Sequence, residues 1–271
     1  MIRREVKEEF RPISELICLK GKRALITGSA AGIGRAIAKR FAEAGAALEL
    51  VDINEKALKE LKDELSQFNV EVNVHKVDLS KKQEIDSLWM KLKGKEPDIL
   101  VNNAGIYPTK PFLEIDEHFL KKVLDINLNA VFWMCQHMIR SRGKKGGVII
   151  NIGSIEAVMP FKGELGHYDV SKAGVMVLTR ALAHEYGKAG FRINALVPGG
   201  IWTPGTKSVA KEILKFKFNV VKEGLEYAMR TPLGRMGTPD EVARMALVLA
   251  SDLSSYVHGA LIPVDGGFLS A

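Results

Sequence analysis

Cysteine is scarce: the 271-residue chain has two, Cys18 and Cys135. That is too few for a disulfide framework, and the pair lacks metal-ligand spacing. The six histidines are scattered and form no H-E-x-x-H motif, so no metal is expected. No apolar run approaches the ~18 residues of a membrane span. The opening MIRREVKEEF is charged where a secretory signal would have an apolar core. Together these absences predict a cytoplasmic protein with no membrane partner.

A stripe of one charge is also missing. The formal net charge is +7. Residues 1–23 carry 7 basic and 4 acidic groups, and residues 205–235 carry 7 and 3. Neither segment interleaves arginine with aromatics as a nucleic-acid surface does, so no such partner is expected. Hydrophobic residues make up 46% and charged residues 26%, a globular profile that excludes general disorder.

What is present is an alternation. RALIT (23–27), ALELV (47–51), VNVHKV (72–77), DILV (98–101), GVIINI (147–152), RINALV (192–197) and ALIPV (260–264) read as buried strands. Amphipathic stretches such as GRAIAKRFAEAG and EKALKELKDELSQF separate them. Strands parted by helices imply βαβ units. The expected fold is α/β: a single-domain, Rossmann-type, doubly wound parallel sheet of about seven strands with helices on both faces. Residues 1–20 form an arm before the domain at 21–271. The irregular stretch at about 200–235 reads as a small helical substrate lid.

TGSAAGIG directly follows the first strand and opens a helix. Gly28 permits a tight turn, Gly32 lets backbone approach a pyrophosphate, and Gly34 allows close helix packing. Asp52 ends the second strand, where a carboxylate can bind both hydroxyls of an adenosine ribose. A 2′-phosphate would meet like charge there, and the neighbouring Ile53 and Ala31 supply no cation. The predicted cofactor is therefore NAD.

Ser154 stands after the fifth strand, at the carboxyl edge where open α/β folds bind ligands. Tyr168 and Lys172 are one helical turn apart and can touch. Asn127 sits inside a helical stretch, where asparagine is a modest liability. Taken singly, each has a plainer reading. Tyr168 and Lys172 suit a solvated helix face, and Asn127 suits a core asparagine with a backbone partner.

In order and spacing, TGSAAGIG, NNAG (102–105), INL with Asn127, Ser154, YDVSK and PGGIWT (198–203) resemble the short-chain dehydrogenase/reductase family in its classical form. LGRMGTPDEVA and VDGG look similar too, so the resemblance runs from about Gly21 to Gly267. It implies that Tyr168 is the general acid/base, that Lys172 lowers its pKa and binds the nicotinamide ribose, and that Ser154 orients the substrate. It gives Asn127 a water that relays protons from Lys172. A free tyrosine titrates near ~10, so a phenolate near neutrality requires roughly 3–4 kcal/mol of added preference.

The resemblance also implies cofactor contacts at Gly28, Gly32, Ile33 and Gly34. Asp78 and Leu79 would meet the adenine, and Asn103, Ala104 and Gly105 would lie beneath its ribose. Pro198, Gly199, Ile201 and Thr203 would line the nicotinamide and pyrophosphate. Glu156, His167 and Trp202 are expected to border the substrate, a small alcohol or carbonyl such as a sugar, polyol or hydroxy acid. The alternatives are a 3-oxoacyl-(acyl carrier protein) reductase and a dinucleotide-binding regulator without turnover. The family association further suggests a homotetramer packed through helices near 116–141 and 168–187. In the lid, Lys207, Lys211, Lys215, Lys217 and Lys222 would favour an anionic substrate if they faced the cleft.

Overall fold

The computed structural model describes residues 10–203 and 227–271. Seven strands form one parallel sheet in the order β3-β2-β1-β4-β5-β6-β7. They are β1 (Arg23–Thr27), β2 (Ala47–Asp52), β3 (Val72–Lys76), β4 (Ile99–Asn102), β5 (Gly147–Ile152), β6 (Phe191–Pro198) and β7 (Leu261–Val264). Each sequence-predicted strand is found within two residues of its expected limits. Parallel pairing requires crossovers, and the helices supply them.

After a single turn at α1 (Ile13–Leu16), α2 (Gly32–Glu43) and α3 (Glu55–Leu65) cover one face with α8 (Pro239–Ala250). The other face carries α4 (Lys82–Lys91), α6 (Ala130–Arg142) and α7 (Gly166–Tyr186). Their buried residues recur at helical spacing, as in Leu58, Leu61 and Leu65 of α3. Strands covered on both sides lose the polar alternation of a half-exposed sheet; Leu25, Ile26, Leu100 and Val101 are fully buried.

The strand order reverses between β1 and β4, which opens the crevice where such sheets bind ligands. Two departures from the expected outline matter. Leu19, assigned to the arm, is buried in the first core, and its N–H donates to the Ala44 carbonyl at 2.8 Å. The helix expected over 116–141 is interrupted: α5 (Glu117–Leu124) meets α6 through a π turn at Asp125–Asn129. Such turns widen a helix locally and recur at functional sites.

Candidate active site

The chain leaves β1 through Gly28 (φ +62°) and Gly32 (φ +54°), a backbone region that suits glycine. Gly34 is fixed by crowding. A Cβ there would overlap the Gly28 carbonyl oxygen and come within 2.5 Å of the Asn103 amide nitrogen. Helix α2 begins at this turn, and its N-cap residue Ala31 makes no side-chain cap. The first-turn N–H groups, including that of Ile33, thus remain available to an anion.

Asp52 is pinned beside the turn. Its two carboxylate oxygens accept from the Ala30 and Asn54 N–H groups, each at 3.0 Å. Arg35, the cation of the first helical turn, donates to the Ala30 carbonyl at 3.1 Å and pairs with Glu64. Ile53 is exposed. Crowded glycines, an uncapped helix start and a fixed carboxylate together fit the pyrophosphate and ribose of a dinucleotide.

Other residues expected at the cofactor do structural work as well. The Asn103 amide donates to the carbonyls of Thr27 and Gly28, both at 3.0 Å, and so ties the phosphate turn to the end of β4. Asp78 accepts from the hydroxyl of Ser80 at 2.7 Å and from its N–H at 3.0 Å, which holds its carboxyl below the usual range. Leu79 packs in the second core. Ala104 donates its N–H to the Thr27 hydroxyl at 3.1 Å. Gly105 lies farther along than expected, on the catalytic side. A Cβ there would stand 3.3 Å from Asn127 Oδ1 and 3.4 Å from Lys172 Nζ.

The four residues of the expected catalytic set come together from β5, α7 and the π turn. The Ser154 hydroxyl is buried, accepts from the Glu156 N–H at 3.2 Å, and lies beside the Tyr168 phenol. Lys172 is buried one turn further, with Nζ donating to the Ile152 carbonyl at 2.8 Å and lying 5.8 Å from the Tyr168 ring centre. Burial lowers its pKa to about 8. Burial also pushes the Tyr168 phenol up to about 12 against the opposing influence of Ser154, with Glu156, Tyr107 and Asp169 adding to the rise. Burial therefore works against the fall toward neutrality that a general base at this position requires.

Asn127 has the backbone partners of a core asparagine. It is fully buried in the π turn. Its Oδ1 accepts from the Ile106 N–H at 2.8 Å, and its amide donates to the Ile106 carbonyl at 2.8 Å and to Ser171 Oγ at 3.2 Å. The side chain braces the loop after β4, so these bonds already engage both its oxygen and its nitrogen.

At the expected substrate border, Glu156 accepts from the N–H groups of Phe161 (2.8 Å) and Lys162 (3.3 Å). His167 is neither a surface group nor open to the cleft. It is buried, donates from Nε2 to the Pro108 carbonyl at 2.7 Å, and meets Phe119 edge-on. Trp202 is half exposed. Gly199 continues from Pro198 and donates to the Val264 carbonyl at 3.1 Å, while Ile201 is buried. Burial raises the Tyr107 phenol, and Thr203 beside it opposes that rise. The lid lysines from Lys207 to Lys222 lie outside the described residues. Among the described residues there is no cluster of three or more potential metal ligands, and no helix is long and apolar enough to cross a membrane.

A family model described as enoyl-(acyl carrier protein) reductase matches residues 28–269. The chain is 37% identical to a 3-oxoacyl-(acyl carrier protein) reductase of Chlamydia pneumoniae, over 93% of this chain and 98% of that one. It is 36% identical to the 2-dehydro-3-deoxy-D-gluconate 5-dehydrogenase of Bacillus subtilis, over 95% and 98%. Among solved structures, the L-sorbose reductase of Gluconobacter frateurii, complexed with NADPH and L-sorbose, superposes with a TM-score of 0.87. That match has 32% identity and covers 94% of this chain and 99% of the reductase. The chain belongs to the short-chain dehydrogenase/reductase family. It is accordingly a dinucleotide-dependent oxidoreductase of alcohols and ketones.

Three residues of this short-chain dehydrogenase/reductase escaped the sequence reading. Tyr107 lies edge-on to Tyr168, with ring centres 6.2 Å apart. Its place two residues beyond NNAG, at the carboxyl edge, was an available signal. The Thr27 hydroxyl accepts from the N–H groups of Asn103 (3.0 Å) and Ala104 (3.1 Å), joining the ends of β1 and β4. Tyr227 contacts Gly199 and Gly200 from 27 positions further along the chain than Gly200. Nothing in the sequence pattern marks that pairing.

Proposed function

We propose that the protein interconverts a secondary alcohol and a ketone on a small sugar, polyol or hydroxy acid, with NAD as the preferred dinucleotide. The observation that carries this reading is the grouping of Ser154 beside Tyr168, with Lys172 buried one turn away, next to a cradle that fits a dinucleotide. The bound nicotinamide supplies the hydride acceptor or donor. In oxidation, the Ser154 hydroxyl holds the substrate oxygen and Tyr168 takes its proton as general base. In reduction, Tyr168 returns that proton to the carbonyl oxygen.

Lys172 has three N–H donors and uses one on Ile152. The others can meet a ribose hydroxyl and stabilise the Tyr168 phenolate. Because burial holds the phenol near about 12, the positive nicotinamide ring is needed alongside Lys172 to make Tyr168 a base. Base strength thereby arises when the cofactor is bound. Asn127 supports this centre through the loop at Ile106, and proton relay to solvent would use backbone and water beside it.

Asp52 favours NAD because its pinned carboxylate repels a 2′-phosphate and Arg35 is already paired. The Chlamydia similarity keeps a 3-oxoacyl thioester as the second substrate reading. Intact Ser154, Tyr168 and Lys172 weigh against a regulator without turnover. The proposal includes a cytoplasmic homotetramer, supported by exposed Phe132, Val170 and Val177 on α6 and α7 and readable as a mass by light scattering. The arm at 1–20 and the lid at about 200–235 belong to the same proposal.

The test is a panel of sugars, polyols, hydroxy acids and a 3-oxoacyl thioester, assayed with NAD(H) and NADP(H) by reduced-nicotinamide absorbance. The expected result is turnover in the first three classes, with kcat/KM at least about tenfold higher for NAD. Turnover of the thioester alone, with NADPH, would replace this reading with the second.

A further inference from the structure

The Gly199–Gly200 pair that follows β6 is gripped from a part of the chain remote from the chemistry. The Gly200 N–H donates to the Tyr227 hydroxyl oxygen at 2.6 Å, and the Gly200 carbonyl accepts from the Gly237 N–H at 2.9 Å. The phenol ring lies directly on this backbone. A Cβ at Gly200 would come 2.6 Å from the ring, and one at Gly199 would overlap the hydroxyl. Only glycine permits that approach.

Tyr227 is itself immobilised. It is buried and stacks on Phe268 at 5.0 Å between ring centres, with planes 9° apart, while Phe161 meets it edge-on at 6.0 Å. Phe268 belongs to the C-terminal turn, which Asp265 holds by accepting from Gly267 (2.9 Å) and Leu269 (3.0 Å). Aromatic stacking of this kind fixes a ring more firmly than area alone would.

The same contacts lead on to the catalytic phenol. Beyond Gly200, the Trp202 N–H donates to the Gly237 carbonyl at 3.0 Å. Thr203 lies beside the Tyr107 phenol, and the Tyr107 ring lies edge-on to Tyr168 at 6.2 Å. The path runs from Phe268 through Tyr227 and Gly200 to Thr203, Tyr107 and Tyr168. The phosphate turn at 28–34 and Asp52 share none of these bonds.

We infer that Tyr227 is a positioning residue: its hydroxyl sets the 199–203 backbone, and with it the nicotinamide end of the site, while leaving the adenine end untouched. This rests on the oxidoreductase reading above. The partly buried Gly200 N–H loses its acceptor when the Tyr227 hydroxyl is removed, which favours a shift of the loop toward another partner. The shift would fall on Ile201 and Thr203.

Tyr227→Phe deletes that hydroxyl and keeps the stacked ring. NADH and ADP binding are titrated in the variant and the wild type, with thermal melting alongside; ADP carries the adenosine half only. The expected result is about fivefold weaker NADH binding, the worth of one hydrogen bond near 1 kcal/mol, with ADP affinity unchanged. Equal NADH affinity in the two proteins, or equal losses for NADH and ADP, would overturn the positioning role, and so would a lower melting temperature without that split. A wild type that binds neither NADH nor NADPH would overturn the oxidoreductase reading, and this inference with it.

Discussion

The loops after β1 and β2 leave the same edge of the sheet as those after β4, β5 and β6, yet they hold their groups by different means. On the adenine side, position comes from the backbone: positive φ at Gly28 and Gly32, crowding at Gly34, and Asp52 pinned by two N–H groups. On the catalytic side, side chains from separate segments brace one another, as Asn127 does with Ile106 and Ser171. The titrating groups differ as well. Glu49 is buried in β2 with three partners, whereas Tyr168, Lys172 and Asp169 are displaced chiefly by burial. A binding cradle needs fixed shape, while proton transfer needs groups whose pKa values a ligand can move.

If that division is right, the two sides can be broken separately. Tyr168→Phe should lower kcat by about 10³-fold, within the usual worth of a general acid/base, and leave NADH affinity within about twofold. Turnover near the wild-type level would remove Tyr168 from the chemistry. A parallel loss of NADH affinity would show that the sides are not independent.

The converse change is smaller. Asp52→Ala with Ile53→Arg removes like charge and adds a partner for a 2′-phosphate, so the NAD/NADP ratio of kcat/KM should fall by about tenfold or more. The turnover number with saturating cofactor should stay close to the wild-type value. A ratio that does not move would mean that Asp52 has no part in choosing the cofactor.

This division also governs what the sequence disclosed. Backbone requirements leave local marks: glycines at 28, 32 and 34 and an acid at the end of β2 fall within one βαβ unit. The strands were legible for the same reason, since burial on both faces produces short apolar runs. Tyr168 and Lys172 were legible because one helical turn joins them. Asn127 was legible as a core asparagine with a backbone partner. The identity of that partner, Ile106, was not, because the contact depends on a π turn that helical spacing does not announce. Neither was the grip of Tyr227 on Gly200, which spans 27 positions and requires the β6 turn to meet the C-terminal tail. The upward push of burial on the Tyr168 phenol was not legible either, because charge is visible in a sequence and desolvation is not.

The smallest expected effect compares two carboxylates. Glu49 accepts from Arg23 (2.5 Å), His75 (2.6 Å) and Asn73 (3.0 Å). Burial raises its pKa, but these bonds outweigh burial and hold it below the usual value. Asp169 keeps one buried oxygen without a partner, and burial followed by the Glu156 charge pushes its carboxyl up to about 6 from 3.8. The signs are opposite. A depressed pKa stabilises the fold above its unfolded value and loses that contribution as pH falls. A raised one favours the fold at low pH and loses that contribution as pH rises through about 6. Glu49→Gln should therefore lower Tm at pH 8, because it strands part of the Arg23 charge. Asp169→Asn should raise it there by about 2–4 °C, the scale of 1 kcal/mol in a chain of this size, and the gain should shrink by pH 5. A fall in Tm at pH 8 for Asp169→Asn would mean that its carboxylate is paired in the working protein, and the contrast between the two acids would not hold.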